Sequence, residues 1–166
     1  MMPPEINFDS ANALDIWQPI NDGVMGGRSS SRLRWSEAGH AVFEGLVSLD
    51  NGGGFASIRA TTSALAASGV VGYRVTVLGD GKHYKLNLRM DAAFDGVNYQ
   101  AEFFPPLGQW ATLDLPLAAF VPSHRGRVVV DAPVLDATKV RQVGWMIAAR
   151  QAGSFQLGIR SVKALF

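Results

Sequence analysis

Apolar and polar side chains alternate with a period of two along much of this chain. Tyr84, Leu86, Leu88 and Met90 interleave with Lys85, Asn87, Arg89 and Asp91, and Tyr73, Val75 and Val77 interleave with Arg74 and Thr76. That period puts each set on one face of a β-strand. Further strand-like runs cover residues 32–35, 41–49, 55–60, 99–104, 110–115, 127–130, 143–149 and 155–162. Between them lie Glu37-Ala38-Gly39, Asn51-Gly52-Gly53-Gly54, Gly79-Asp80-Gly81, Asp95-Gly96 and Ala152-Gly153. These are turn residues, several at hairpin spacing. Helical signals are confined to residues 62–68, 117–120 and 136–140, the last capped by Asp136. None is long enough to cover a sheet. The pattern predicts an all-β fold, a jelly-roll β-sandwich of two antiparallel sheets forming one domain over residues 1–166.

One loop departs from ordinary turn chemistry. Residues 17–31 read Trp-Gln-Pro-Ile-Asn-Asp-Gly-Val-Met-Gly-Gly-Arg-Ser-Ser-Ser. Gly23, Gly26, Gly27 and the Asn21-Asp22 pair are loop formers, because Gly reaches positive φ and Asn or Asp bonds its own backbone. Val24 and Met25 at its centre are of little use to a solvated turn. The loop is expected to fold back onto the body of the protein, its glycines permitting close approach.

Composition narrows the function. The chain has 15 basic and 14 acidic residues, a net charge of +1, and no cysteine. That balance argues against bulk binding to nucleic acid or an anionic membrane. Thiol catalysis, disulfides and cysteine metal sites are excluded. Residues 1–10 form neither a signal peptide nor a transit peptide, and no apolar run approaches the ~18 residues of a membrane span. A soluble, cytoplasmic protein is the expectation.

Catalytic motifs are sparse. Residues 27–31 do not make G-x-S-x-G, no P-loop is present, and residues 52–54 lack a dinucleotide fingerprint. His40, His83 and His124 are far apart, each beside a turn, and are expected at the surface or in turns. Asp91 and Asp95 flank a turn without the dense oxygen spacing of a calcium loop. Neither metal nor cofactor is expected. A hydrolase would need two acids across one cleft. Glu44 and Glu102, or Asp22, are the candidates for this least favoured reading.

A binding face is more distinctive. Lys85, Asn87 and Arg89 share one strand face, Asn98, Gln100 and Glu102 share the next, and Arg59 ends the glycine-rich block. On a curved sheet they floor a groove, with the loop over residues 21–27 across or beside it. Trp17, Trp110 or Trp145 would add a stacking wall, although the alternation around Trp145 points inward. This is how a sugar site is built. The plainer reading is a solvated face with charges paired across strands. Trp35 is expected to be the exposed tryptophan. Arg28, Arg32, Arg34, Arg125 and Arg127 form a loose basic group without the aromatic interleaving of a nucleic-acid site.

The loop, with its tryptophan, Asp-Gly turn and Gly-Gly-x-Ser segment, resembles the signature of the complex I intermediate-associated protein 30 family. Phe43-Glu44-Gly45 with residues 51–59 is similar to its second block. Tyr84 to Arg89, Asn98-Tyr99, Trp110 with Leu115-Pro116-Leu117, and Val143-Gly144-Trp145-Met146-Ile147 with residues 153–157 are similar to the rest. The blocks span roughly residues 6–166, in a form that looks like a stand-alone bacterial version. The resemblance implies a galactose-binding-domain-like jelly roll and a non-catalytic role in assembling respiratory complex I (NADH:ubiquinone oxidoreductase) by protein–protein recognition. Binding of a carbohydrate or other small ligand in the groove is the alternative. The expected site residues are Asn21, Asp22, Met25, Arg28, Arg59, Lys85, Asn87, Arg89, Asn98 and Gln100. The Phe104-Pro105-Pro106-Leu107 segment is a further candidate contact.

Overall fold

A computed structural model describes residues 4–166, apart from the side chains of Val24 and Met25. Its strands are β1 (Glu5–Asn7), β2 (Gln18–Pro19), β3 (Ser30–Ser36), β4 (His40–Val47), β5 (Ala56–Thr61), β6 (Gly72–Leu78), β7 (Tyr84–Arg89), β8 (Asn98–Phe103), β9 (Trp110–Pro116), β10 (Val121–His124), β11 (Arg127–Val128), β12 (Gln142–Ile147) and β13 (Gly153–Leu165). They form two antiparallel sheets. One runs β3-β4-β13-β6-β9 with β1 also on β13, and the other runs β11-β10-β8-β7-β12-β5-β2.

Alternation along the strands fills the space between the sheets. Phe43, Val75, Val77, Leu157 and Ile159 are buried from the six-stranded sheet, and Ile58, Leu86, Leu88, Val143, Trp145 and Ile147 from the seven-stranded one. Phe43 meets Phe155 edge-on at 4.9 Å, and Phe103 meets Trp145 edge-on at 6.2 Å. Such pairing adds to area burial, the main source of stability in a sandwich core.

Two of the three helical expectations survive as 3-10 turns, Leu117–Ala119 and Ala137–Lys139. Asp136 caps the second by accepting the Thr138 N–H. Residues 62–68 form turns without a helix. Three strands lie outside the predicted runs. β2 and β10 each contain a proline, and β1 is only three residues long. Pairing with a neighbour creates them; their own patterns do not. Among the described residues no helix is long and apolar enough to cross a membrane.

The candidate groove on the seven-stranded sheet

Strand register gathers the polar residues of that sheet's outer face. Arg59 pairs with Gly144, Gly144 with Asn87, Asn87 with Gln100 and Gln100 with Val121, making one row across five strands. Ser57, Met146 and Lys85 form the row above, and Gln142 and Arg89 the row below. Together with Asn98 and Ser123 they floor a groove of about 950 Å³. Residues 52–55, 94–95, 125–126 and 148–150 supply its walls.

Hydrogen bonding on this floor is incomplete. Asn87 and Asn98 are each 8% exposed, and among the described residues the Oδ1 of each, closed to solvent, has no donor. Asn87 donates only to Met146 Sδ at 3.5 Å. Arg59 donates to the Phe94 carbonyl at 3.0 Å, Arg89 to the Gly96 carbonyl at 2.7 Å, and Lys85 to Gln100 Oε1 at 3.3 Å. Burial, then the nearby Arg89 charge, push the Arg59 guanidinium down to about 10. It stays charged at neutral pH. Burial likewise lowers Arg89.

The glycine-rich loop is a structural staple behind one groove wall. Asp22 is fully buried. Its Oδ1 accepts the Ser29 N–H at 2.8 Å, and its Oδ2 accepts the Ser29 hydroxyl at 2.5 Å and the Gly54 N–H at 2.8 Å. Burial pushes this carboxyl up. The Ser29 hydroxyl and the N–H groups of Gly54, Ser29 and Phe55 more than offset that and hold it below the usual carboxylate range. A Cβ on Gly27 would come within 2.4 Å of the carboxylate carbon, and one on Gly53 within 2.5 Å of Oδ2. Asn21 Oδ1 accepts from the Ser31 hydroxyl at 2.7 Å and the Ser57 N–H at 3.0 Å, joining the two sheets.

Six of the ten sequence-chosen residues, Arg59, Lys85, Asn87, Arg89, Asn98 and Gln100, line the groove. Asn21 and Asp22 do not line it; they are spent on the hydrogen bonds above. Arg28 is exposed and lies outside the lining. The Met25 side chain lies outside the described residues. Ser57, Ser123, Gln142 and Met146 were missed although alternation places them on the same strand faces. Arg125 and Arg150 sit at positive φ, 50° and 54°, on loops whose path has no sequence signal.

Other expectations are corrected. None of the proposed tryptophans walls the groove: Trp17 packs on Phe8, Trp145 is fully buried between the sheets, and Trp110 belongs to the opposite sheet, stacked under Arg160. Trp35 is only half-buried. His40 is buried, edge-on to Trp110, whereas His83 and His124 sit against Glu102 and Asp95. Glu44 and Glu102 lie on different sheets, engaged by Arg32 and Arg34 and by His83, so they share no cleft. The loose basic group is divided likewise, with Arg32 and Arg34 on one sheet and Arg127 on the other. No cluster of three or more metal-ligating residues occurs among the described residues.

The two sheets make a jelly-roll β-sandwich of the galactose-binding-like fold. The family 11 carbohydrate-binding module of the Clostridium thermocellum cellulase Lic26A-Cel5E superposes with a TM-score of 0.69 at 13% identity, over 99% of this chain and 97% of the module. A Clostridium thermocellum family 11 module in complex with a β-1,3-1,4-mixed-linked tetrasaccharide gives 0.68 at 14% identity, over 97% and 95%. At such identities the likeness shows the fold alone. The model of the family described as complex I intermediate-associated protein 30 matches residues 6–159, and the chain belongs to that family. The mitochondrial complex I intermediate-associated protein 30 of Drosophila melanogaster is 26% identical over 92% of this chain. The chain spans 59% of that relative's length.

Proposed function

We propose that this chain is a non-catalytic recognition module acting in the assembly of respiratory complex I, and that it takes a protein partner in the groove. The observation that carries this reading is the polar floor gathered by strand register, with Arg59, Lys85, Asn87, Arg89, Asn98 and Gln100 lining one groove.

One further feature favours a protein partner. Along the β10–β11 edge of the same sheet and the chain that follows, Val121, Val128, Val130 and Val134 are exposed. Apolar anchors beside a polar surface suit a protein interface.

The test is affinity purification from the native host at low salt, read by mass spectrometry. Tagged wild type is expected to recover complex I subunits, and Asn87→Leu to lose them without a change in melting temperature. Equal recovery by both would remove the groove from the interaction. Recovery of no complex I subunit by the wild type would contradict the assembly role.

A further inference from the structure

The outer faces of the two sheets handle charge in opposite ways. On the six-stranded sheet, cations meet carboxylates in register. Arg74 pairs with Asp114 at 2.7 Å, and Arg32 and Arg34 both grip Glu44 at 2.6 and 2.8 Å. Cross-strand pairing of this kind is ordinary sheet chemistry. On the groove side it is missing. Among the described residues, Arg59, Lys85, Arg89, Arg125 and Arg150 line the groove with a single carboxylate, Asp95. Asp95 is taken by Arg125 at 2.6 Å and His124 at 3.2 Å. Arg59, Arg89 and Arg150 have backbone carbonyls as their hydrogen-bond partners, and Lys85 has a glutamine. Glu102, the residue opposite Lys85, turns to His83 instead.

Charge is therefore segregated in a chain that is almost neutral overall. Arg59, Lys85 and Arg89 are held half-buried with no ion pair of their own, Asp91 and Asp95 acting on the two arginines only from a distance, and an anionic ligand would relieve that cost. The rim adds a second sign. Ala149 and Arg150 are consecutive non-glycine residues at φ 60° and 54°, and Arg150 lines the groove from that strained turn. Left-handed backbone at non-glycine residues carries a cost that functional sites commonly bear.

We infer that the groove selects an extended acidic protein segment, its carboxylates taken by Arg59, Arg89 and Arg150. This rests on the proposed reading of the groove as a protein site. Guanidinium forks match carboxylates. An acidic saccharide would satisfy the same charges beside Phe94, which is 61% exposed, so it is included in the test as a competitor.

The test is fluorescence anisotropy of the full chain with a labelled dodecapeptide of alternating Glu and Ser. Its Gln-Ser counterpart and a labelled hexagalacturonate serve as comparisons. The Glu-Ser peptide is expected to bind at least about tenfold more tightly than the Gln-Ser peptide. Arg59→Gln and Arg89→Gln should each weaken it about tenfold with unchanged circular-dichroism melting, while Arg74→Gln on the other sheet leaves it unchanged. Equal binding of the two peptides would overturn the acidic selection and leave the groove a peptide site. Tighter binding of hexagalacturonate, lost in the same arginine variants, would overturn the protein reading itself. Absence of binding by any probe, or equal loss in Arg74→Gln, would overturn the inference.

Discussion

Gly54 donates its backbone N–H to Asp22 Oδ2 at 2.8 Å, across 32 positions of the chain. The same oxygen accepts the Ser29 hydroxyl at 2.5 Å, so one buried carboxylate ties the glycine-rich loop, the approach to β3 and the groove wall together. The absence of side chains at Gly27 and Gly53 is what lets both backbones reach it. The most conspicuous stretch of the sequence thus shapes the groove from behind.

Removing this staple should unfold the protein more readily. Asp22→Ala strands several buried donors and is expected to cost about 3 kcal/mol or more. Gly53→Ala should cost a comparable amount, because its Cβ would meet Asp22 Oδ2 at 2.5 Å and the Ser48 carbonyl at 2.8 Å. Gly26→Val adds left-handed strain at φ 88°, about 1–2 kcal/mol. Urea unfolding measures all three. A change under about 0.5 kcal/mol for Asp22→Ala would contradict the staple.

The Asp22 carboxyl also gives an acid limb. Its folded pKa lies below its unfolded value, so on acidification the unfolded state takes up the proton first. The stabilisation is full above the unfolded value of about 4 and fades as pH falls through the folded one. The stability difference between wild type and Asp22→Asn should therefore shrink below about pH 4. A difference that stays constant from neutral pH to pH 2 would exclude Asp22 as its source.

Adjacent residues on β7 should behave oppositely. Leu86 is fully buried, and Leu86→Ala is expected to cost about 2–5 kcal/mol. Lys85 faces the groove, and Lys85→Ala should stay within about 0.5 kcal/mol. Equal effects would contradict the strand register.

Arg59 and Arg89 should repel each other. Arg59→Gln and Arg89→Gln are each expected to leave unfolding free energy within about 0.5 kcal/mol, since lost hydrogen bonds are offset by relieved charge. In a double-mutant cycle the second substitution should relieve less than the first, a coupling of about 0.5 kcal/mol. Strict additivity would contradict a shared electrostatic cost.

Much of this was legible in the alternation. The faces of β7 and β8 follow from Tyr84 to Arg89 and Asn98 to Phe103, which is why Lys85, Asn87, Arg89, Asn98 and Gln100 were found together on one floor. Strand patterns do not say which strands share a sheet, so neither the separation of Glu44 from Glu102 nor the place of Trp110 away from the groove is legible in them. Asp22 looked like a ligand group because a carboxylate in a glycine loop reads alike whether it faces solvent or backbone N–H groups. Arg150 reaches the groove through a left-handed turn that no residue pattern announces.

The most direct test of the central claim is photo-crosslinking in the native host. A benzophenone amino acid would replace Gln100 on the groove floor in one variant and Thr76 on the outer face of the six-stranded sheet in another. Adducts with complex I subunits from position 100, and none from position 76, are the predicted result. Such adducts from position 76 alone, or equally from both, would contradict recognition through the groove.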